Sequence, residues 1–349
     1  KTALKMAAEN INTDILLFLL SLPKIEIGNS CFYNCENIIK ISIPSSVKSI
    51  GKYSFSGCSS LVQFSIPSSI ISIEEFTFND CIALTGITIP SSVTKIGNGS
   101  FAGCSSLTEI SIPSSVTSIG DYAFSDCSSL TRISIPSSVT SIKKGLFSKC
   151  SSLIDIEIPS SVTSIGSSAF YMCSSLAKFS IPPAVASIET CLFYGCTSLT
   201  DIEIHSSVTK IGIMSFFECS SLVNLSIPPS VKDIGKFAFA ECTSLKGQNS
   251  DLAKIEPFAN IDDYEIKEYI CSGSFSQLFR VSDKKTGQEF VLKSYDTRDF
   301  KNNNEFLEEV AISSIPGNIK IQSFRFPLTD EEKEQVKTLE FQVKIKERE

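Results

Sequence analysis

The chain has 349 residues, long enough for two or three domains, and 42% of them are apolar, which excludes general disorder. Its 31 basic and 38 acidic residues leave a net charge of -7, so it lacks the positive field with which nucleic-acid binders neutralise phosphates. A single histidine, His205, excludes histidine-built metal clusters and any mechanism that needs a second imidazole.

The sequence opens on Lys1 rather than methionine, which predicts a fragment whose native start lies upstream. Residues 2–20, TALKMAAENINTDILLFLL, space apolar side chains helically through Leu4, Ala7 and Ala8, then through Ile15, Leu16, Leu19 and Leu20. The apolar run from Ile15 to Leu20 is far short of the roughly 20 residues of a membrane-spanning helix. The segment resembles a final ankyrin repeat, departing from that family's TPLHxA pattern at Lys5 and from its turn glycine at Ile11. The resemblance implies a helical cap over residues 1–22. An unrelated helical cap would bury the next element equally well.

Ten of the thirteen cysteines, from Cys35 to Cys242, recur every 23 residues. Phenylalanine keeps the same interval from Phe32 to Phe239, as does proline from Pro44 to Pro228, with His205 filling the one proline slot left over. A unit such as Ile96 to Ser118 reads Ile-Gly-x-x-x-Phe-x-x-Cys-x-x-Leu-x-x-Ile-x-Ile-Pro-Ser-Ser-Val-x-x. Its Leu107, Ile110 and Ile112 suit a short strand with one buried face, ended by Pro113. A unit this small cannot close a core alone, so its apolar residues must stack on their equivalents in the flanking coils. Nine such strands, at about 4.8 Å each, make a ribbon of roughly 40 Å. The cysteine ladder reads as a row of buried small hydrophobes. A disulfide ladder is the alternative, although parallel side chains on one face fit the bond poorly.

The IPSSVxxIGxxAFxxCSSL pattern resembles leucine-rich repeats, and within them the BspA-like surface-antigen class, from Ile27 to Leu245. That resemblance implies an α/β repeat solenoid over residues 23–246 that binds a protein ligand, with no catalytic residue in the repeat. Serines such as Ser46, Ser69 and Ser92 fall where that family often carries asparagine, and their hydroxyls suit the backbone groups of the turn. Specificity falls to the outward strand positions. Asp155, Glu157, Asp201 and Glu203 form an acidic patch around Lys178, with a merely solvated face as the alternative. Tyr171, Tyr194 and Phe217 share one slot in three successive coils and form an aromatic stripe, either an interface or a cover for the core.

The period stops after Leu245, and residues 247–260 read as a linker. The run YEIKEYICSGSFSQLFRVSDKKTGQEFVLKSY then predicts three strands, reaching Ile270, spanning Leu278 to Val281, and passing through Lys293. With the loop Gly273, Ser274 and Phe275, the VLK motif ending in Lys293, and FLEEV carrying Glu309, residues 261–349 resemble a small α+β protein-kinase amino-terminal lobe. The segment SIPGNI resembles the HPNIV stretch of tyrosine-kinase-like kinases. The resemblance implies an ATP site in which Glu309 pairs with Lys293. Cys271 and Ser276 replace two of the three loop glycines, and HRD and DFG motifs are absent from the chain, so phosphate transfer is not expected of it. The leading expectation is a recognition ribbon serving as the sensing part of a tyrosine-kinase-like kinase. Its alternatives are a surface adhesin that binds host or matrix proteins, and a pseudokinase scaffold. Free thiols favour the cytoplasm; the sequons at Asn98 and Asn224 are compatible with a cell-surface or secreted alternative.

Overall fold

The computed structural model describes residues 3–9, 26–245, 264–272, 276–284, 289–295 and 321–323. It divides into two compact units, Lys1–Ile255 and Glu256–Glu349.

The first unit is a parallel β-solenoid. From Gln63 onward each 23-residue coil has a three-residue front strand, a two-residue back strand and a turn side, and the coil before it is joined by the isolated bridges Ile27↔Ile50 and Lys40↔Gln63. The front strands run from Gln63–Ser65 and Gly86–Thr88 to Asn224–Ser226, in register one coil apart, as in Arg132↔Asp155 and Lys178↔Asp201. In Glu109–Ser111 the central Ile110 points inward and both neighbours face solvent, the side-chain alternation of an extended chain. The back strands run from Ser72–Ile73 to Asp233–Ile234 and bury their isoleucines, except the half-buried Ile234 of the last.

The expectation of an α/β repeat is corrected here. Among the described residues the coils contain no helix, and the segment from glycine to cysteine is a run of turns. Two residues of each run are left-handed, as Tyr122 (φ 55°) and Asp126 (φ 58°) illustrate. Such a pair bends the chain tightly enough to return it within one coil, where a helix would need more length.

The core is built from identical rungs. Phe32 to Phe239 stack with ring centroids 5.0 to 5.9 Å apart. The ladder cysteines lie beside them, all buried except the half-buried Cys242. None of the twelve cysteines from Cys31 to Cys242 is in a disulfide, so the disulfide alternative is not what the structure forms there. The thiols are also more than small hydrophobes. Cys127 Sγ donates to the Phe101 carbonyl at 3.2 Å, and the same bond recurs from Cys58 to Cys242. Burial pushes the thiol of Cys58 up to about 12 and holds that of Cys127 higher still, so both are protonated and inert as nucleophiles. The serine expectation holds from Ser69 to Ser207, with Ser92 Oγ donating to the Ile70 carbonyl at 2.7 Å and Ser115 Oγ to that of Val93 at 2.7 Å, but fails at Ser230, whose buried Oγ has no partner.

The glycine of each Ile-Gly pair governs how closely coils approach. A Cβ on Gly97 would lie 2.6 Å from Glu75 N, and one on Gly212 2.6 Å from Glu189 C. In these coils the glycine N–H donates to the isoleucine carbonyl of the coil before, at 2.8 Å from Gly97 to Ile73 and 2.6 Å from Gly212 to Ile188. Glu74, Lys143 and Glu189 fill the slot elsewhere. Their Cβ atoms hold those coils off, and the back ladder is divided before Ser72–Ile73, Ser141–Ile142 and Ser187–Ile188.

At the amino terminus, helix Ala3–Glu9 buries Leu4 and Ala7 in the solenoid core. Lys5 Nζ donates to the Tyr33 carbonyl at 2.6 Å and lies 5.7 Å from the centre of the Tyr33 ring. The second predicted helical run, Ile15 to Leu20, lies outside the described residues. In the second unit, Tyr264–Ser272, Ser276–Asp283 and Glu289–Tyr295 form an antiparallel meander, joined in parallel by Ile321–Ser323.

Candidate recognition face

The outward positions of the front strands form two columns. In the first, Glu109, Arg132, Asp155, Lys178 and Asp201 follow one another coil by coil, alternating in sign. All five are exposed, and no ion pair of 4.0 Å or less joins any of them to another. The second column is mostly serine and threonine, broken by Glu157 and Glu203. The four carboxylates named from the sequence sit in the two coils that flank that of Lys178 and line one groove segment with it, while the first column as a whole alternates in charge.

A groove follows this face in two segments. One of about 1060 Å³ extends from Lys40 past Gln63, Glu109 and Arg132 to Glu157. The other, of about 710 Å³, is lined by Asp155, Glu157, Lys178, Asp201 and Glu203. Its polar walls can pair with charged groups of a partner. Among the described residues no group of three potential ligands for a metal gathers anywhere.

Tyr171, Tyr194 and Phe217 do stack, at 4.8 Å between successive ring centres. Tyr171 is buried and the other two are half-buried, and burial raises the Tyr194 phenol. The stripe therefore belongs to the turn side, where the three rings pack on one another. His205 keeps the backbone role of the prolines it replaces, its carbonyl accepting from Val208 N–H at 3.0 Å, while its Nδ1 lies 3.9 Å from Glu203 Oε1. Of the sequons, Asn98 is already engaged, accepting from Asp121 N–H at 3.0 Å, and its Ser100 is buried.

Lys293 lies on the third strand of the second unit, opposite Leu278 in register. Gly273, Ser274, Phe275 and Glu309 lie outside the described residues. No helix among the described residues is long and apolar enough to cross a membrane.

A stacked ribbon of parallel strands presenting an open, charged and serine-rich groove is a solenoid of the recognition class. The family described as BspA type leucine rich repeat region matches residues 25–154 and 140–267, in six copies, and the chain belongs to that family. No curated protein matches it. Among solved structures, the leucine-rich repeat protein of T. pallidum is 36% identical, covering 45% of this chain and 73% of its own, with a TM-score of 0.43. A leucine-rich repeat protein from Bacteroides ovatus is 30% identical over 64% of this chain and 75% of its own, TM-score 0.41. A leucine rich cell surface protein from Faecalibacterium prausnitzii is 28% identical over 67% and 80%, TM-score 0.41.

Proposed function

We propose that the chain is a protein-recognition scaffold of the BspA adhesin kind, which binds a host or matrix protein along its front face. The reading is carried by one observation: five exposed charges in strict alternation line a groove with no ion pair of 4.0 Å or less between them. Charges arranged so select a partner with the complementary order and repel one shifted by a single coil. Buried, protonated thiols are inert to oxidation, so the free cysteines favour neither the cytoplasm nor the cell surface. The family match therefore weighs toward the surface reading.

The test is binding to a panel of immobilised extracellular-matrix proteins. Binding that weakens with salt, and falls at least tenfold in the Arg132→Glu, Lys178→Glu double variant with its folding unchanged, supports the reading. Binding indifferent to that reversal, or none across the panel, overturns it.

The kinase-lobe resemblance supplies a second reading for residues 261–349, a nucleotide site at Gly273, Ser274, Phe275, Lys293 and Glu309. It is supported by the order of the motifs and by a strand meander that carries Lys293 on its third strand. The family match ends at residue 267 and adds nothing to it. ATP binding that is lost in Lys293→Met would favour it.

A further inference from the structure

We infer that the solenoid bends at one interface, between the coil of Asp155–Glu157 and the coil of Lys178–Ser180, with the turn side as its pivot. The back ladder is interrupted there, between Ser164–Ile165 and Ser187–Ile188, and so is the front ladder, between Asp155–Glu157 and Lys178–Ser180. At the other two back-ladder interruptions the front side stays joined, by Lys40↔Gln63 in one case and by Glu109↔Arg132 and its neighbours in the other. Among the described residues this is the interface at which both ladders open.

Three features of the sequence produce the opening. Glu189 occupies the glycine slot, so its Cβ must stand clear of the backbone at Gly166 and Ser167, by the geometry seen at Gly212 against Glu189 and Thr190. Ala186 replaces a threonine whose hydroxyl elsewhere reaches the coil before, as Thr163 Oγ1 does to the Thr140 carbonyl at 3.3 Å. Ala177 and Ala184 likewise replace Thr200-type and Ser207-type donors, which bond the preceding coil at 3.2 and 3.1 Å. The interface thus lacks strand pairing on two sides and three side-chain bonds that reinforce it, while at the head of the front strand the Ala177 N–H still donates to the Ile154 carbonyl at 3.3 Å.

The turn side remains fastened. Phe147 N–H donates to the Ala169 carbonyl at 2.8 Å, Lys149 N–H to that of Tyr171 at 2.6 Å, and Cys173 Sγ to that of Phe147 at 3.1 Å. An assembly tied firmly along one edge, held at the front by a single bond and unpaired at the back, rotates about the tied edge at lower free-energy cost than a fully laddered one. The second segment of the groove crosses the bend, from Asp155 to Lys178. Rotation there changes the spacing of the alternating charges. The bend itself stands whether or not the recognition reading does.

Two measurements on the chain without any partner test it. Hydrogen exchange should find the amides of Ala186 and Glu189, corrected for intrinsic rate, at least tenfold faster than Thr163 and Gly166, their counterparts one coil earlier. Spin labels on Ser111→Cys and Ser226→Cys, both exposed, in a Cys271→Ser background should give a broad distance distribution. That distribution should narrow when Ala177→Thr, Ala184→Ser, Ala186→Thr and Glu189→Gly together restore the repeat. Equal exchange at the two coils, or equal widths with and without the four changes, overturns the bend.

Discussion

The interior of the solenoid and its front face follow opposite rules. The phenylalanine slot holds Phe in every coil from Phe32 to Phe239, and the ladder slot holds Cys in every coil from Cys35 to Cys242. The first outward column meanwhile passes from Gln63 and Gly86 through Glu109, Arg132, Asp155 and Lys178 to Asp201. Each interior side chain must match the copy of itself above and below, so a change in one coil is a mismatch with two. A front side chain meets water and has no such partner. Information about a ligand can be written only where that stacking constraint is absent.

Alkaline pH should break the interior most severely. Desolvation raises the thiols, to about 12 for Cys58, Cys191 and Cys242 and further for the central coils. In the unfolded chain they titrate at about 8.5. The folded state therefore holds the extra protons. Their contribution is complete below about pH 8.5 and is withdrawn as pH rises toward the folded values, at about 1.4 kcal/mol per pH unit for each thiol. Thermal melts at pH 7, 9, 10 and 11 should show a flat region followed by collapse. A melting temperature unchanged at pH 11 would contradict the buried ladder.

A single rung should cost less. Phe124 is completely buried between Phe101 and Phe147, and Phe124→Ala should lower stability by about 3 to 5 kcal/mol through the cavity it leaves. Denaturant titration measures it, and a loss below about 1 kcal/mol would place that ring at the surface.

Gly145→Ala should follow, at about 1 to 2 kcal/mol. Gly145 is left-handed (φ 60°), and a Cβ there would fall 2.1 Å from Tyr122 Cε1. The ring of one coil thus occupies the space over the glycine of the next. Tyr122→Ala should relieve part of the Gly145→Ala loss, and strictly additive effects would show that the ring is not the obstacle. Front-face reversals such as Arg132→Glu should stay within about 0.5 kcal/mol, so that their effect on binding can be read separately.

Much of this was legible in the residues. The period, the inward isoleucines of Glu109–Ser111 and its equivalents, the phenylalanine stack and the serine hydroxyls on the turn all follow from spacing and burial. The turn side was misread as α/β because a family-level expectation stood in for local chemistry. Its signal was present: Asn34, Gly57, Asp80, Gly103 and Asp126 occupy one slot, and asparagine, glycine and aspartate are the residues that best tolerate left-handed backbone. The role of Ile-Gly was equally visible as a motif. A glycine kept for close approach looks the same in sequence as one kept for positive φ, so the meaning of Glu189 in that slot waited for the backbone distances. The thiol-to-carbonyl bonds gave no sequence signal at all, since a cysteine conserved in spacing fits a hydrophobe equally well.

Those bonds make length a free variable. Each thiol looks back 26 residues, one coil and three residues, to a phenylalanine carbonyl, and that carbonyl exists in whatever coil comes before. Duplicating a 23-residue unit inserts a rung that finds its acceptor below and offers one above. Deleting a unit lets its neighbours meet on the same terms. Recombination between near-identical repeats can then lengthen or shorten the ribbon without disturbing the joints, while the front face is dealt a new order of charges each time.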